Sequence, residues 1–222
     1  MLFKKLLALL CVFMISLFTT TLSIASSEIY VWSPTTEPLN STETNANITN
    51  SIETNTIASP SVGTDLNLQC GGAVLMEQSS GRVLYDHNMH QKLRPASVTK
   101  VMSLLLIMEA IDSGRLSYTD KIPCTETAAA MGGSQIWLDV REELTVDEML
   151  KAICVVSAND CTVAMAEYLA GSQEAFVEQM NAKAKELGMN DTTFKNCHGI
   201  DEDGHETCAY DIALMSRELL NK

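Results

Sequence analysis

The sequence predicts a mixed α/β (α+β) domain in which a short antiparallel sheet precedes a helical body. Three observations point there. Two β-prone runs stand near the start of the folded part, five helical patterns follow them, and 46% of the 222 residues are hydrophobic, the proportion of a globular core. The length allows one good-sized domain with appendages.

The first residues read as an address. Lys4 and Lys5 precede an apolar run from Leu6 to about Phe18, and Ser23-Ile24-Ala25 offers small residues for a signal peptidase. Residues 1–25 are therefore expected to be a secretory signal peptide cut after Ala25, and the run is short for a signal anchor. Cys11 follows Leu9-Leu10 rather than a small residue, so lipidation there is not expected. Residues 26–65 are rich in Ser, Thr, Asn and Glu, with no apolar period, and read as a disordered linker that buries too little surface to offset the entropy of ordering it.

Residues 66–222 carry the folded pattern. Ala73-Val74-Leu75-Met76 and Arg82-Val83-Leu84-Tyr85 flank the turn residues Gln78-Ser79-Ser80-Gly81, which predicts a hairpin. An apolar helix runs from Ser97 to about Ile111 and stops at Asp112-Ser113-Gly114. Thr145 and Glu148 make a capping box for a helix with Met149, Leu150, Ile153 and Cys154 on one stripe. Another helix spans about Thr162 to Leu169 and ends at Gly171; Ser172 caps the next, through Phe176, Met180 and Ala184 to Gly188. A last one starts near Thr207. A two-stranded hairpin is marginal alone and no later strand pattern completes it, so the chain is expected to be the N-terminal part of a longer protein.

Composition excludes some functions. With 15 basic and 28 acidic residues the formal charge is −13, so the chain is repelled by nucleic acid and by anionic lipid, and no polybasic run reverses this locally. Loss of Cys11 with the signal leaves Cys70, Cys124, Cys154, Cys161, Cys197 and Cys208. An even count in an exported chain permits disulfides. The spacings do not form a dense framework, however, and Cys154 and Cys161 lie in apolar helical patterns, so buried free thiols are favoured. No C-x-x-C pair suggests zinc or thioredoxin-like chemistry.

The chemistry-bearing residues begin with Pro95-Ala96-Ser97-Val98-Thr99-Lys100. If Ser97 opens the helix, Lys100 lies one turn later on the same face, within reach of the hydroxyl. The positive helix N-terminus disfavours a protonated lysine, and neutral lysine can act as base towards serine. Ser-x-x-Lys is weak alone and equally describes a capped helix with a solvated lysine. Here the helix behind it is apolar all round (Val101, Met102, Leu104 to Met108), which places the pair at the floor of a cleft. A second element, Ser157-Ala158-Asn159, interrupts an apolar run. It reads either as a loop or as a relay serine with an asparagine that bonds both Lys100 and a substrate carbonyl.

Ser97-x-x-Lys100 followed by Ser157-x-Asn159 resembles the first two of three signatures of penicillin-binding proteins and serine β-lactamases. Further matches resemble the low-molecular-mass D-alanyl-D-alanine carboxypeptidases, peptidase family S11. They include Ala170-Gly171-Ser172, Ala184-Lys185-Glu186-Leu187-Gly188-Met189, Thr193-Phe194-Lys195-Asn196, His198-Gly199-Ile200-Asp201 and Ala209-Tyr210-Asp211. The resemblance runs from about Cys70 to Lys222. It implies a β-lactamase/transpeptidase-like fold, a helical subdomain plus an antiparallel sheet, here lacking the C-terminal strands. It also implies Ser97 as nucleophile, Lys100 as base, Ser157 as proton relay and Asn159 as substrate contact, with no metal or cofactor. The implied substrate is a peptidoglycan stem peptide ending in D-Ala-D-Ala, β-lactams are covalent inhibitors, and the site of action is extracytoplasmic; oligomeric state is left open.

Two departures stand out. Cys197 occupies a position where the family more often has Pro or a small residue. The third signature, Lys-Thr-Gly, which in the family binds the substrate carboxylate and lends an oxyanion donor, does not occur in the 222 residues, so a polypeptide of these residues alone is expected to be inactive or nearly so. A β-lactamase is the nearest rival, but Ala158 stands where the common type has Asp, and no Glu-x-x-Leu-Asn is present. A transpeptidase of the same superfamily and a non-catalytic wall-binding module are further alternatives. His198, Asp201 and His205 have ligand-like spacing, but Asp203 and Gly204 favour a hydrogen-bonded loop over a metal site.

Overall fold

The computed structural model describes residues 66–222. The expected signal peptide and linker lie outside the described residues. The hairpin forms as expected from β1 (Ala73–Met76) and β2 (Val83–His87), antiparallel with Val74 opposite Asp86 and a bulge at Met76. Its turn is built by a residue the sequence reading passed over. The Glu77 carboxylate accepts from the backbone N–H groups of Ser79 (2.9 Å) and Ser80 (2.7 Å) and from both hydroxyls, which holds its pKa down to about 2. Gly81 takes φ +72°, and Arg217 donates to the carbonyls of Gln78 (2.5 Å) and Ser79 (2.9 Å), tying the turn to the last helix.

A 3-10 turn, Ala96–Thr99, leads into α1 (Lys100–Asp112). The expected helix start at Ser97 is thus corrected: the first turn is wound more tightly, as helix ends commonly are. Met102, Leu105, Ile107 and Ala110 of α1 are fully buried, so this helix is the axle of the domain. Each such large apolar side chain contributes about 1.5–3 kcal/mol of transfer free energy.

Two short strands, β3 (Lys121–Pro123) and β4 (Glu143–Thr145), pair antiparallel, with the short helix α2 (Glu126–Ala129) between them. None was expected from sequence, because three residues with one buried side chain, Ile122, carry no readable period. α3 (Val146–Val156) begins at the expected capping box, with Glu148 N–H donating to Thr145 Oγ1 (3.2 Å) and Thr145 N–H to Glu148 Oε2 (2.8 Å). Its buried stripe is Val146, Met149, Ala152 and Ile153, while Cys154 is exposed, contrary to expectation. One residue beyond Ile153 is a rotation of about 100°, which carries Cys154 off the face.

α4 (Asn159–Ala170) starts three residues before the expected Thr162 and closes at Gly171 with φ +84°. α5 (Gln173–Glu186) is capped by Ser172 Oγ, which accepts from Ala175 N–H at 3.1 Å. α6 (Ala209–Leu219) is capped by the sulfur of Cys208 and packs on both α1 and β1. All six described cysteines are free thiols, with Cys124, Cys161, Cys197 and Cys208 buried and Cys70 and Cys154 exposed. Among the described residues no helix is long and apolar enough to cross a membrane.

Candidate active site

The mouth of α1 meets the loop 194–207, and polar side chains on the first turns of the helix hold that loop. Lys100 Nζ donates to the carbonyl of His198 (2.7 Å) and Ser103 Oγ to that of Cys197 (2.6 Å). Thr99 Oγ1 lies 2.7 Å from His205 Nε2. Because His205 Nδ1 accepts from Lys195 N–H at 2.9 Å, the ring proton sits on Nε2 and is donated to Thr99. The loop approaches so closely that a Cβ on Gly199 would fall 1.9 Å from the Ala96 carbonyl oxygen, and Gly199 itself has φ +96°. Only glycine satisfies both demands. On the other side of that contact Ala96 has φ +46°, a strained value for alanine, and turns Ser97 out to solvent.

Lys100 Nζ is 3.3 Å from Ser97 Oγ and 2.7 Å from Asn159 Oδ1. With the His198 carbonyl this makes three acceptors for three ammonium protons. A neutral amine keeps two of those bonds and turns its lone pair towards the serine. Lys100 is buried, and burial pulls its pKa down to about 8. Desolvation thus leads, where the sequence reading had credited the helix end. The nearby Cys197 opposes it only weakly, since burial pushes that thiol up to about 12 and leaves it uncharged near neutral pH.

Asn159 is fixed on every side. Its N–H donates to Ser134 O and its Nδ2 to Gly132 O, each at 2.7 Å. The next residue, Asp160, is fully buried and accepts from the N–H groups of Ile136 (3.1 Å), Leu138 (3.1 Å) and Cys161 (2.9 Å). Together they clamp the loop 132–138 over the start of α4. That loop displays Trp137, 78% exposed with φ +59°. Ser157 ends α3 in the left-handed region (φ 60°, ψ 38°), and its buried Oγ has no hydrogen-bond partner, so it does not join the Lys100 network.

Of the four expected site residues, then, Ser97, Lys100 and Asn159 are bonded together and Ser157 stands apart. His198, Asp201 and His205 do not form one ligand set: His198 Nδ1 accepts from Ile200 N–H (3.1 Å), Asp201 pairs with Arg94, and His205 bridges Thr99 and Lys195. Burial lowers the His198 pKa to about 4 and depresses that of His205. The His198 side chain lines a cavity of about 440 Å³ with Gln173, Glu174 and Lys195. The sequence reading missed Thr99, Ser103 and Asp160. Asp160 is the one with a signal, a carboxylate next to Asn159 in an otherwise apolar stretch.

A helical body with Ser-x-x-Lys at the mouth of its buried central helix, joined to an asparagine at the start of a second, is the arrangement of penicillin-binding, transpeptidase-fold proteins. The chain belongs to the D-alanyl-D-alanine carboxypeptidase family peptidase S11, whose model matches residues 54–222. It is 53% identical over 156 residues to D-alanyl-D-alanine carboxypeptidase DacF of Bacillus subtilis, covering 70% of this chain and 40% of that one. Among solved structures it resembles the carboxypeptidase DacD from Francisella tularensis, with TM-score 0.67 and 34% identity over 75% of this chain and 40% of that one. It also resembles penicillin-binding protein D2 from Listeria monocytogenes in an ampicillin-bound form, with TM-score 0.62 and 28% identity over 71% of this chain and 64% of that one. The chain thus spans about two fifths of the length of the first two relatives.

Proposed function

We propose that these residues belong to an exported serine-type D-Ala-D-Ala carboxypeptidase that removes the terminal D-alanine of peptidoglycan stem peptides. The observation that carries this reading is the Lys100 amine, buried, depressed to about 8 and bonded at once to Ser97 and Asn159. Ser97 Oγ attacks the carbonyl between the two D-alanines while its proton passes to Lys100 Nζ. The C–N bond breaks, and the departing amine takes a proton from the Lys100 ammonium; the Ser157 hydroxyl, which has no partner in this structure, serves as the relay once it turns towards Lys100. Water then attacks the ester, with Lys100 again as base, and frees Ser97. Asn159 Nδ2 has one further N–H for the substrate carbonyl beyond its bond to Gly132.

β-Lactams would acylate the same serine, as the ampicillin-bound relative suggests by analogy. The signal-like residues 1–25 support action outside the cytoplasm, after export. The experiment is D-alanine release from a stem peptide by the protein expressed from its complete reading frame. Release that disappears in Ser97→Ala is expected; release undiminished in that variant overturns the assignment. A polypeptide of the 222 residues alone, lacking Lys-Thr-Gly, is expected to be inactive or nearly so.

A further inference from the structure

His90, Asp191 and Cys208 converge on one point away from the Ser97–Lys100 pair and have no part in the chemistry above. His90 Nδ1 is 2.9 Å from Asp191 Oδ2, Cys208 Sγ is 3.7 Å from the same oxygen, and all three ligand atoms lie within 4.8 Å of one another. It is the one such group of three among the described residues. We propose that His90, Asp191 and Cys208 form a binding site for a zinc-type divalent metal ion.

Donor types and distances both fit. One imidazole nitrogen, one carboxylate oxygen and one thiolate are the ligands that zinc accepts, with water in the fourth position. Metal–ligand bonds of about 2.0–2.3 Å in a tetrahedron separate neighbouring ligands by about 3.3–3.7 Å. The Cys208–Asp191 contact already falls in that range, the hydrogen-bonded His90–Asp191 pair has to open by a few tenths of an ångström, and all three ligand atoms already lie within 4.8 Å of one another. His90 is exposed and Cys208 is buried, so an ion reaches the site from solvent on the imidazole side.

The surroundings of these ligands are built. Cys208 Sγ accepts from the N–H of Asp211 at 3.4 Å, at the N-terminus of α6, where the helix favours negative charge. Asp211 Oδ2 in turn accepts from the N–H of Asp191 (2.9 Å) and the hydroxyl of Thr192 (2.7 Å), which orients the second ligand. The Tyr210 ring packs against the imidazole with centroids 5.1 Å apart. Burial, with help from the two aspartates, pushes the Cys208 thiol up to about 11, and a divalent cation reverses that balance by displacing the proton to solvent.

The site would clamp the segment that delivers Ser97. His90 follows β2 and stands seven residues before Ser97. That stretch is already held to the start of α6 by Leu93 N–H to Thr207 O (2.8 Å) and Tyr210 N–H to Met89 O (3.0 Å).

The test is titration of the full 222-residue chain with Co2+ and, in competition, Zn2+, in wild type, Cys208→Ser, His90→Ala and Asp191→Asn. Serine preserves the helix cap, and His90 is exposed, so at least these two variants are expected to fold. One equivalent of Co2+ is expected to give a thiolate-to-metal absorption band that Zn2+ abolishes. Cys208→Ser should lose the band, and His90→Ala should weaken binding by about tenfold or more. No band in wild type overturns the site, as does affinity unchanged in His90→Ala or a band that survives in Cys208→Ser, the last of which would place the ion on another thiol such as the exposed Cys70 or Cys154.

Discussion

Lys100 Nζ lies 2.7 Å from Asn159 Oδ1, although 59 positions separate the two residues. The contact joins the mouth of α1 to the first residue of α4 and gives the buried amine an acceptor that carries no charge. A neutral acceptor stabilises the ammonium less than a carboxylate does, and this keeps Lys100 near enough to neutrality to serve as a base. In Asn159→Asp a charge at the same distance should move the Lys100 pKa up. NMR titration of isotopically labelled lysine should find Lys100 changing near pH 8 in the wild type and higher in the variant. Titration of Lys100 at the ordinary lysine value in the wild type would contradict this.

The same burial makes an alkaline stability profile with a maximum. A folded-state pKa of about 8 against 10.5 unfolded means the unfolded chain binds the extra proton between those values, so stability rises with pH from about 8. Cys161 and Cys197 work the other way: their thiols, pushed up to about 12 from 9.0, keep protons that the unfolded chain releases, so stability falls above about 9. Urea midpoints should therefore peak near pH 9, and Lys100→Met should remove the rising limb alone.

On the acid side, burial lowers the His198 pKa to about 4 from 6.5, with Lys100 and His205 adding to the shift and Glu202 opposing it. The stability from keeping this ring neutral is complete above about 6.5 and is lost as pH falls towards 4. In His198→Gln, urea midpoints measured across that window should change less with pH than in the wild type.

Gly199→Ala should combine a left-handed backbone strain with a Cβ 1.9 Å from the Ala96 carbonyl, for a loss of roughly 3 kcal/mol or more. At Gly204 (φ +79°) the nearest atom is the flexible Lys195 side chain at 3.3 Å, so Gly204→Ala should cost clearly less. Thermal unfolding of the two variants measures the difference, and equal losses would refute the close-approach account.

Ser157→Ala removes a buried hydroxyl that has no partner, so it should leave stability unchanged or slightly raised. Turnover of the stem peptide should nonetheless fall by at least about 100-fold if the hydroxyl carries the proton to the leaving amine. Denaturation and D-alanine release on one preparation separate the two effects.

Much of this was legible in the sequence. The hairpin, the axle helix and the Thr145–Glu148 box each announced themselves through local patterns, and the Ser97–Lys100 pair followed from one turn of helix. What stayed hidden was non-local. Nothing near His198 in sequence says that its carbonyl receives Lys100, or that Thr99 waits for His205. The strands around Ile122 and Leu144 were too short for a period, and Cys154 was misplaced because a helical stripe is wide enough to admit a neighbour that packing excludes.

The most direct test is to incubate the protein expressed from its complete reading frame with penicillin, digest it, and locate the added mass by peptide sequencing. The expected result is a single adduct on Ser97, absent in Ser97→Ala. An adduct on any other residue, or one that persists in that variant, would contradict the account.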